Sequence, residues 1–158
     1  MKRIEQLQIL SKEHHQSLVL SQKAIKASNS GDMELISLLC KKIVNDFPSV
    51  WKLHFQIEEE SIFNDFEQRS ILENNSSENE KLQQIIQLCK KLQQEHLIMV
   101  EYYEQMKAGN YQLLGEFGIL LKQHTRTEER QLFPLLENFL SPEELNKVYL
   151  TSVNYCQD

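Results

Sequence analysis

Two five-residue words carry the chemistry of this chain: His54-Phe55-Gln56-Ile57-Glu58 and His124-Thr125-Arg126-Thr127-Glu128. Each sets an imidazole and a carboxylate four residues apart in a stretch that reads as helix. Four residues rise about 6 Å, so the two side chains share one face, a turn apart. A pair of such words facing each other could hold two metal ions with bridging carboxylates. That requires elements that bring the words together and further donors to complete the coordination.

The elements read as long helices. Gly and Pro are scarce, with 4 and 3 in 158 residues, while Leu, Ile, Lys, Glu and Gln abound. The turn-forming clusters Ala27–Gly31, Asn74–Ser77 and Ala108–Asn110 divide the chain. Helices are expected at about 5–27, 32–67, 79–107 and 111–139, in one domain spanning 1–158. Pro48 predicts a kink or break inside the second. Ser141-Pro142-Glu143-Glu144 signals the start of a short further helix, about 142–154, with a serine cap and a glutamate three residues on. The expected fold is all-α: an up-down-up-down antiparallel four-helix bundle with a short extra C-terminal helix.

Each long helix carries a histidine in register with its apolar stripe. His14 follows Leu7 and Leu10, with Leu18 and Ile25 beyond it. His54 and Glu58 continue Leu35, Leu39, Ile43, Phe47 and Trp51, and lead on to Ile62. His96 lies among Leu82, Ile85, Cys89, Leu92, Met99, Tyr103 and Met106. His124 and Glu128 continue Leu113, Phe117 and Leu120, and lead on to Leu132 and Leu135. Four inward histidines arise by chance on the order of once in a hundred. Inward carboxylates without a lysine or arginine beside them need a cation. Two ions, each with two histidines and both glutamates, use all six donors: His14, His54, Glu58, His96, His124 and Glu128. Without a thiolate the set suits iron first, with zinc and manganese as alternatives. A solvent bridge and an exchangeable position on each ion complete the expected centre.

This ordered set resembles the hemerythrin-like (HHE) cation-binding domains. The flanking words Ser11-Lys12-Glu13-His14, His54-Phe55 before Glu58-Glu59-Glu60, and Glu128-Glu129-Arg130-Gln131-Leu132-Phe133-Pro134 are similar to that family as well. The resemblance implies a non-haem di-iron centre with an oxo or hydroxo bridge, the four histidines as terminal ligands and Glu58 and Glu128 as bridges. It also implies a small-molecule partner, O2, NO or peroxide. The sequence departs from the family's oxygen carriers, which place two histidines one turn apart on the third helix: here Leu92 and Val100 flank His96 at that spacing. One histidine fewer favours chemistry or sensing at the metal over simple reversible oxygen storage. The primary expectation is a protein that binds or senses O2, NO, peroxide or iron. The alternative is a di-iron enzyme, peroxidase- or catalase-like, an oxidase, or one of iron–sulfur repair under nitrosative or oxidative stress. Proteins of the repair type often carry an additional N-terminal cysteine-bearing domain, which this sequence does not show.

Other features are assigned quieter roles. His15 is rotated by about 100° from His14 and belongs on a flank. Glu59, Glu60 and Glu129 read as solvated surface, Tyr103 as core, and Cys40 and Cys89 as apolar filler. Three widely spaced cysteines suggest reduced thiols in a cytoplasm. The net charge of −6 argues against nucleic acid, and no apolar run or signal-peptide pattern points to a membrane. Metal affinity is expected to fall as pH drops through about 6, where an ordinary imidazole protonates.

Overall fold

The computed structural model describes residues 2–72 and 79–156; the expected loop Asn74–Ser77 lies outside them. Only helical elements and their connections occur among the described residues. Helix α1 spans Gln8–Ser30, α2 Met33–Asp46, α3 Trp51–Glu58, α4 Asn64–Leu72, α5 Glu80–Lys107, α6 Leu114–Thr127, α7 Phe133–Phe139 and α8 Pro142–Cys156. Two π-helical turns, Glu59–Phe63 and Glu128–Leu132, join α3 to α4 and α6 to α7.

The chain's punctuation explains the boundaries. Helix α1 runs past the expected end near Ala27 to Ser30, where Gly31 takes the left-handed conformation, φ 69°, that closes a helix. The expected 32–67 helix is broken at Pro48: α2 ends at Asp46 and α3 starts at Trp51. Asp32 caps α2 by accepting from the backbone N–H groups of Glu34 and Leu35, both at 3.1 Å. Ser141 and Glu144 form the anticipated reciprocal cap, 3.2 Å and 3.1 Å, at the start of α8.

The apolar core forms two clusters with a polar layer between them. One holds Leu7, Leu10, Ile57, Phe63, Phe66, Leu92, Leu132 and Phe133; the other holds Leu20, Ala24, Trp51, Phe55, Met99, Phe117 and Leu121. Helix α1 passes from the first cluster to the second, α3 from the second to the first, α5 from the first to the second, and α6 leads back through its π turn to α7 in the first. Each crosses the intervening layer at its histidine.

On α1 the inward line beyond His14 differs from the expected Leu18 and Ile25. It runs through Ser17, Leu20, Ser21, Ala24 and Ala27. The reason is the close approach of α6. A Cβ added at Gly118 would sit 2.9 Å from Ala24 Cβ and 3.0 Å from the Ser21 carbonyl oxygen. Small residues on α1 are therefore the residues that fit. Elsewhere too the buried line is shifted by one residue: Leu35 is exposed while Ile36 and Cys40 are buried, and Leu114 and Leu121 take the places expected for Leu113 and Leu120.

Because a rigid alanine methyl and a backbone carbonyl block the added atoms, Gly118→Val should push α1 and α6 apart. The expected loss is about 1–3 kcal/mol, typical of overpacking, read in urea unfolding. An unchanged midpoint would show that the close packing of α1 on α6 is not needed.

Candidate metal centre

Four imidazoles and two carboxylates meet in the polar layer. His14, His54, His96, His124, Glu58 and Glu128 are all buried, the two glutamates at 1% and 0% exposure. One donor atom from each of His14, His54, Glu58 and Glu128 lies within 4.8 Å of the others, and the same holds for Glu58, His96, His124 and Glu128. Both glutamates are thus common to the two groups. His15 is exposed on the outer side of α1, as its rotation requires.

The distances are short. His54 Nε2 is 2.9 Å from Glu58 Oε1, and His124 Nε2 is 3.0 Å from Glu128 Oε1. His14 Nε2 lies 3.0 Å from Glu128 Oε2 and 3.3 Å from Glu58 Oε1, while His96 Nε2 lies 3.2 Å from Glu58 Oε2. The Nε2 atoms also approach in pairs, His14 to His54 and His96 to His124, at 3.1 Å.

On the outer side of the cluster each of its four histidines meets a further carboxylate through Nδ1. His14 is 2.7 Å from Glu129, His96 3.0 Å from Glu59 and His124 2.8 Å from Glu95; His54 contacts Glu13. Glu59 and Glu129 are therefore not solvated surface, and Glu13 and Glu95 are further site residues. These four carboxylates fix the rings and the tautomer. In a neutral ring an Nδ1–H that donates outward leaves the Nε2 lone pair pointing into the centre.

Glu58 Oε2 and both Glu128 oxygens have no hydrogen bond, although ring nitrogens lie close to them. Among the described residues, the ion-pair partners of Glu58 and Glu128 are histidines alone. Inward lone pairs beside orphaned carboxylate oxygens form a donor set that fits cations.

The π turns shape the rings' surroundings. Asn64 N–H donates to the Glu59 carbonyl and Phe133 N–H to the Glu128 carbonyl, each five residues back. The wider turn carries Phe63 and Phe133, five residues after Glu58 and Glu128, to the inside. Phe133 stacks on His14 at 5.3 Å between centroids, and Phe63 tilts against His96 at 5.4 Å. The second turn also starts α7 just before Pro134, so the proline falls in a first turn where its missing N–H is harmless. Phe55 stacks on His96 at 4.0 Å and 18°. Tyr103 is core, as expected, lying flat on Phe47. Cys40 and Cys89 are buried in the apolar clusters.

A repeated word could have revealed the outer carboxylates and the π turns. His-x-x-x-Glu-Glu-x-x-(Ile/Leu)-Phe occurs at 54–63 and 124–133, and Glu-His at 13–14 and 95–96. The two halves exchange partners: Glu59 of one reaches His96 of the other, and Glu129 reaches His14.

The electrostatics follow from this arrangement. Burial alone would favour neutral imidazoles, but the Glu58 charge and bonds to Glu13 and Glu58 raise His54 to about 9. Burial is likewise overcome at His124, where Glu128, Glu95 and Glu58 raise it to about 10, and at His14, raised by Glu128, Glu129 and Glu58. Burial opposes ionisation of Glu58 and Glu128, yet the histidines hold both below the ordinary carboxylate value. A proton on any of these rings competes with a cation for the same lone pair, and the raised histidines let that competition begin above the expected pH of about 6.

These directions fix the stability profile of metal-free protein. The raised histidines stabilise it fully below their ordinary 6.5 and lose that contribution as pH rises through about 9–10. The lowered glutamates contribute above their ordinary 4.5 and lose it as pH falls below that. Chelator-treated protein should therefore melt highest between about pH 5 and 7 and less well at pH 10. A melting point that climbed from pH 6.5 to 10 would contradict the assignment.

The family model described as "Hemerythrin HHE cation binding domain" matches residues 6–136. Searches of curated proteins and of solved structures returned no match.

Proposed function

The chain belongs to the hemerythrin HHE cation-binding family, and from that premise we propose that it is a non-haem di-iron protein that binds or senses O2, NO or peroxide. The observation that carries this reading is the sharing of Glu58 and Glu128 by two histidine pairs. His14 and His54 would hold one ion, His96 and His124 the other, with both carboxylates bridging. Imidazole and carboxylate donors without thiolate support iron over zinc, with manganese as the nearer competitor. Bound iron would supply a redox-active Lewis acid able to take up a diatomic gas or peroxide. The alternating passage of α1, α3, α5 and α6 between the two apolar clusters supports an up-down-up-down four-helix bundle as the frame, in one domain.

The residues around the donors do the rest. Glu13, Glu59, Glu95 and Glu129 orient the rings and keep their Nε2 lone pairs inward. Phe55, Phe63 and Phe133 cover ring faces and exclude water. No helix among the described residues is long and apolar enough to cross a membrane. We assign the protein to the cytoplasm because its three cysteines are free.

Anaerobic titration with Fe(II), followed by optical spectra on adding O2, NO or peroxide, tests the proposal. Two equivalents per chain and a new charge-transfer band with at least one of the three are expected. Failure to retain iron, or no spectral response to any of them, would overturn it. Glu58→Ala and Glu128→Ala should each remove high-affinity binding of both ions, since each carboxylate serves both. Glu59→Ala and Glu95→Ala should weaken iron binding by about 10–100-fold, measured by competition with a chelator; wild-type affinity would show that these carboxylates do not support the rings.

A further inference from the structure

Arg3 lies outside the segment that matches the family, yet its guanidinium reaches the edge of the site. Its Nη2 donates to Glu129 Oε2 at 2.9 Å and to the Glu129 carbonyl oxygen, inside the second π turn, at 2.7 Å. Its Nη1 donates to Glu137 Oε1 at 2.8 Å. The same guanidinium sits over the Phe133 ring, 5.4 Å from its centroid. Glu129 and Phe133 are the two neighbours of His14 already described. Glu129 Oε1, the oxygen facing His14 Nδ1, is also held by Ser11 Oγ at 2.6 Å. Arg3 takes the other oxygen, so the carboxylate plane is fixed from both sides.

The four outer carboxylates are not equivalent in this respect. Among the described residues Glu129 is the one of the four outer carboxylates held by an arginine. Glu95 has only the exposed Lys91 at 3.8 Å. The arm that carries Arg3 is itself anchored: Ile4 and Leu7 pack in the first apolar cluster with Leu145 and Val148 of α8, and Gln8 Nε2 donates to the Arg3 carbonyl at 3.0 Å.

We propose that Arg3 is a positioning residue, a latch from the N-terminal arm that holds Glu129 and Phe133 against His14 and so retains selectively the ion that His14 shares with His54. This rests on the reading of the cluster as a two-metal centre. A guanidinium can meet the carboxylate, the carbonyl and Glu137 at once, which a single point charge cannot do.

The test compares wild type, Arg3→Met and Arg69→Met, each loaded anaerobically with Fe(II) and mixed with excess ferrous chelator. Arg69 pairs with Asp65 and Glu144 and touches none of the six donors, so it controls for a general effect of removing a half-buried, paired cation. In Arg3→Met one of two equivalents should leave about 10-fold faster and the other at the wild-type rate, with Arg69→Met unchanged. Two wild-type rates in Arg3→Met, equal acceleration of both equivalents, or the same effect from Arg69→Met would each overturn the latch. A second readout needs no metal: in metal-free protein the His14 Nδ1 proton, followed by NMR, should exchange with water faster in Arg3→Met while that of His124 stays unchanged. Equal exchange in wild type and variant overturns the latch. If wild type took up no iron, the two-metal reading would fail and this proton measurement would still decide the role of Arg3.

Discussion

Everything in this fold is arranged around a repulsion. Glu58 and Glu128 sit in a dry layer between two apolar clusters, facing four imidazoles whose outer nitrogens are engaged by further carboxylates. Neutral rings held this way present lone pairs to the carboxylates; protonated rings present charge that balances them. The layer is thus satisfied by protons or by cations, and by little else the chain contains. Removing a partner from such a buried set is far more damaging than never having built it, which ties the helices' packing to the chemistry of their centre.

The construction repeats itself. Each half of the chain supplies a Glu-His pair and a His-x-x-x-Glu-Glu word followed by a phenylalanine on the far side of a π turn. The halves are interlocked because each inner histidine of α1 and α5 takes its outer carboxylate from the other half's π turn. That exchange makes both halves necessary to orient either pair of rings. A π turn inside a helix departs from the better α geometry and is tolerated where a side chain must be re-aimed; here the side chains are Phe63 and Phe133. Close packing of α1 on α6 around Gly118, Ser21 and Ala24 sets the distance at which His14 can share Glu128 with His124.

Most of this was legible in the residues. Four histidines in register with leucines and two glutamates a turn further on pointed to the six side chains that meet in the polar layer and to the all-helical class, because a 3.6-residue period is strong over long segments. Pro48 marked a break and Ser141 a helix start for local reasons that tertiary contacts do not override. What escaped was decided by partners distant in sequence. Glu59 and Glu129 look solvated on a single helix and become ring partners only once another helix is beside them. The α1 stripe shifted from Leu18 and Ile25 to Ser21 and Ala24 because a glycine on α6 permits closer approach than leucines would. The π turns move every residue after them by one position, which a uniform helical period cannot show. The upward shift of the histidines escaped for the same reason, since an isolated imidazole knows nothing of two or three surrounding carboxylates.

Donor geometry carries the functional account: two pairs of histidines around one shared pair of carboxylates. X-ray absorption at the iron edge of the loaded protein tests that claim most directly. The account predicts imidazole and carboxylate ligation with a metal–metal vector of about 3–4 Å, the short spacing of bridged paired-metal sites. Iron bound singly, with no metal neighbour at that distance, would contradict it.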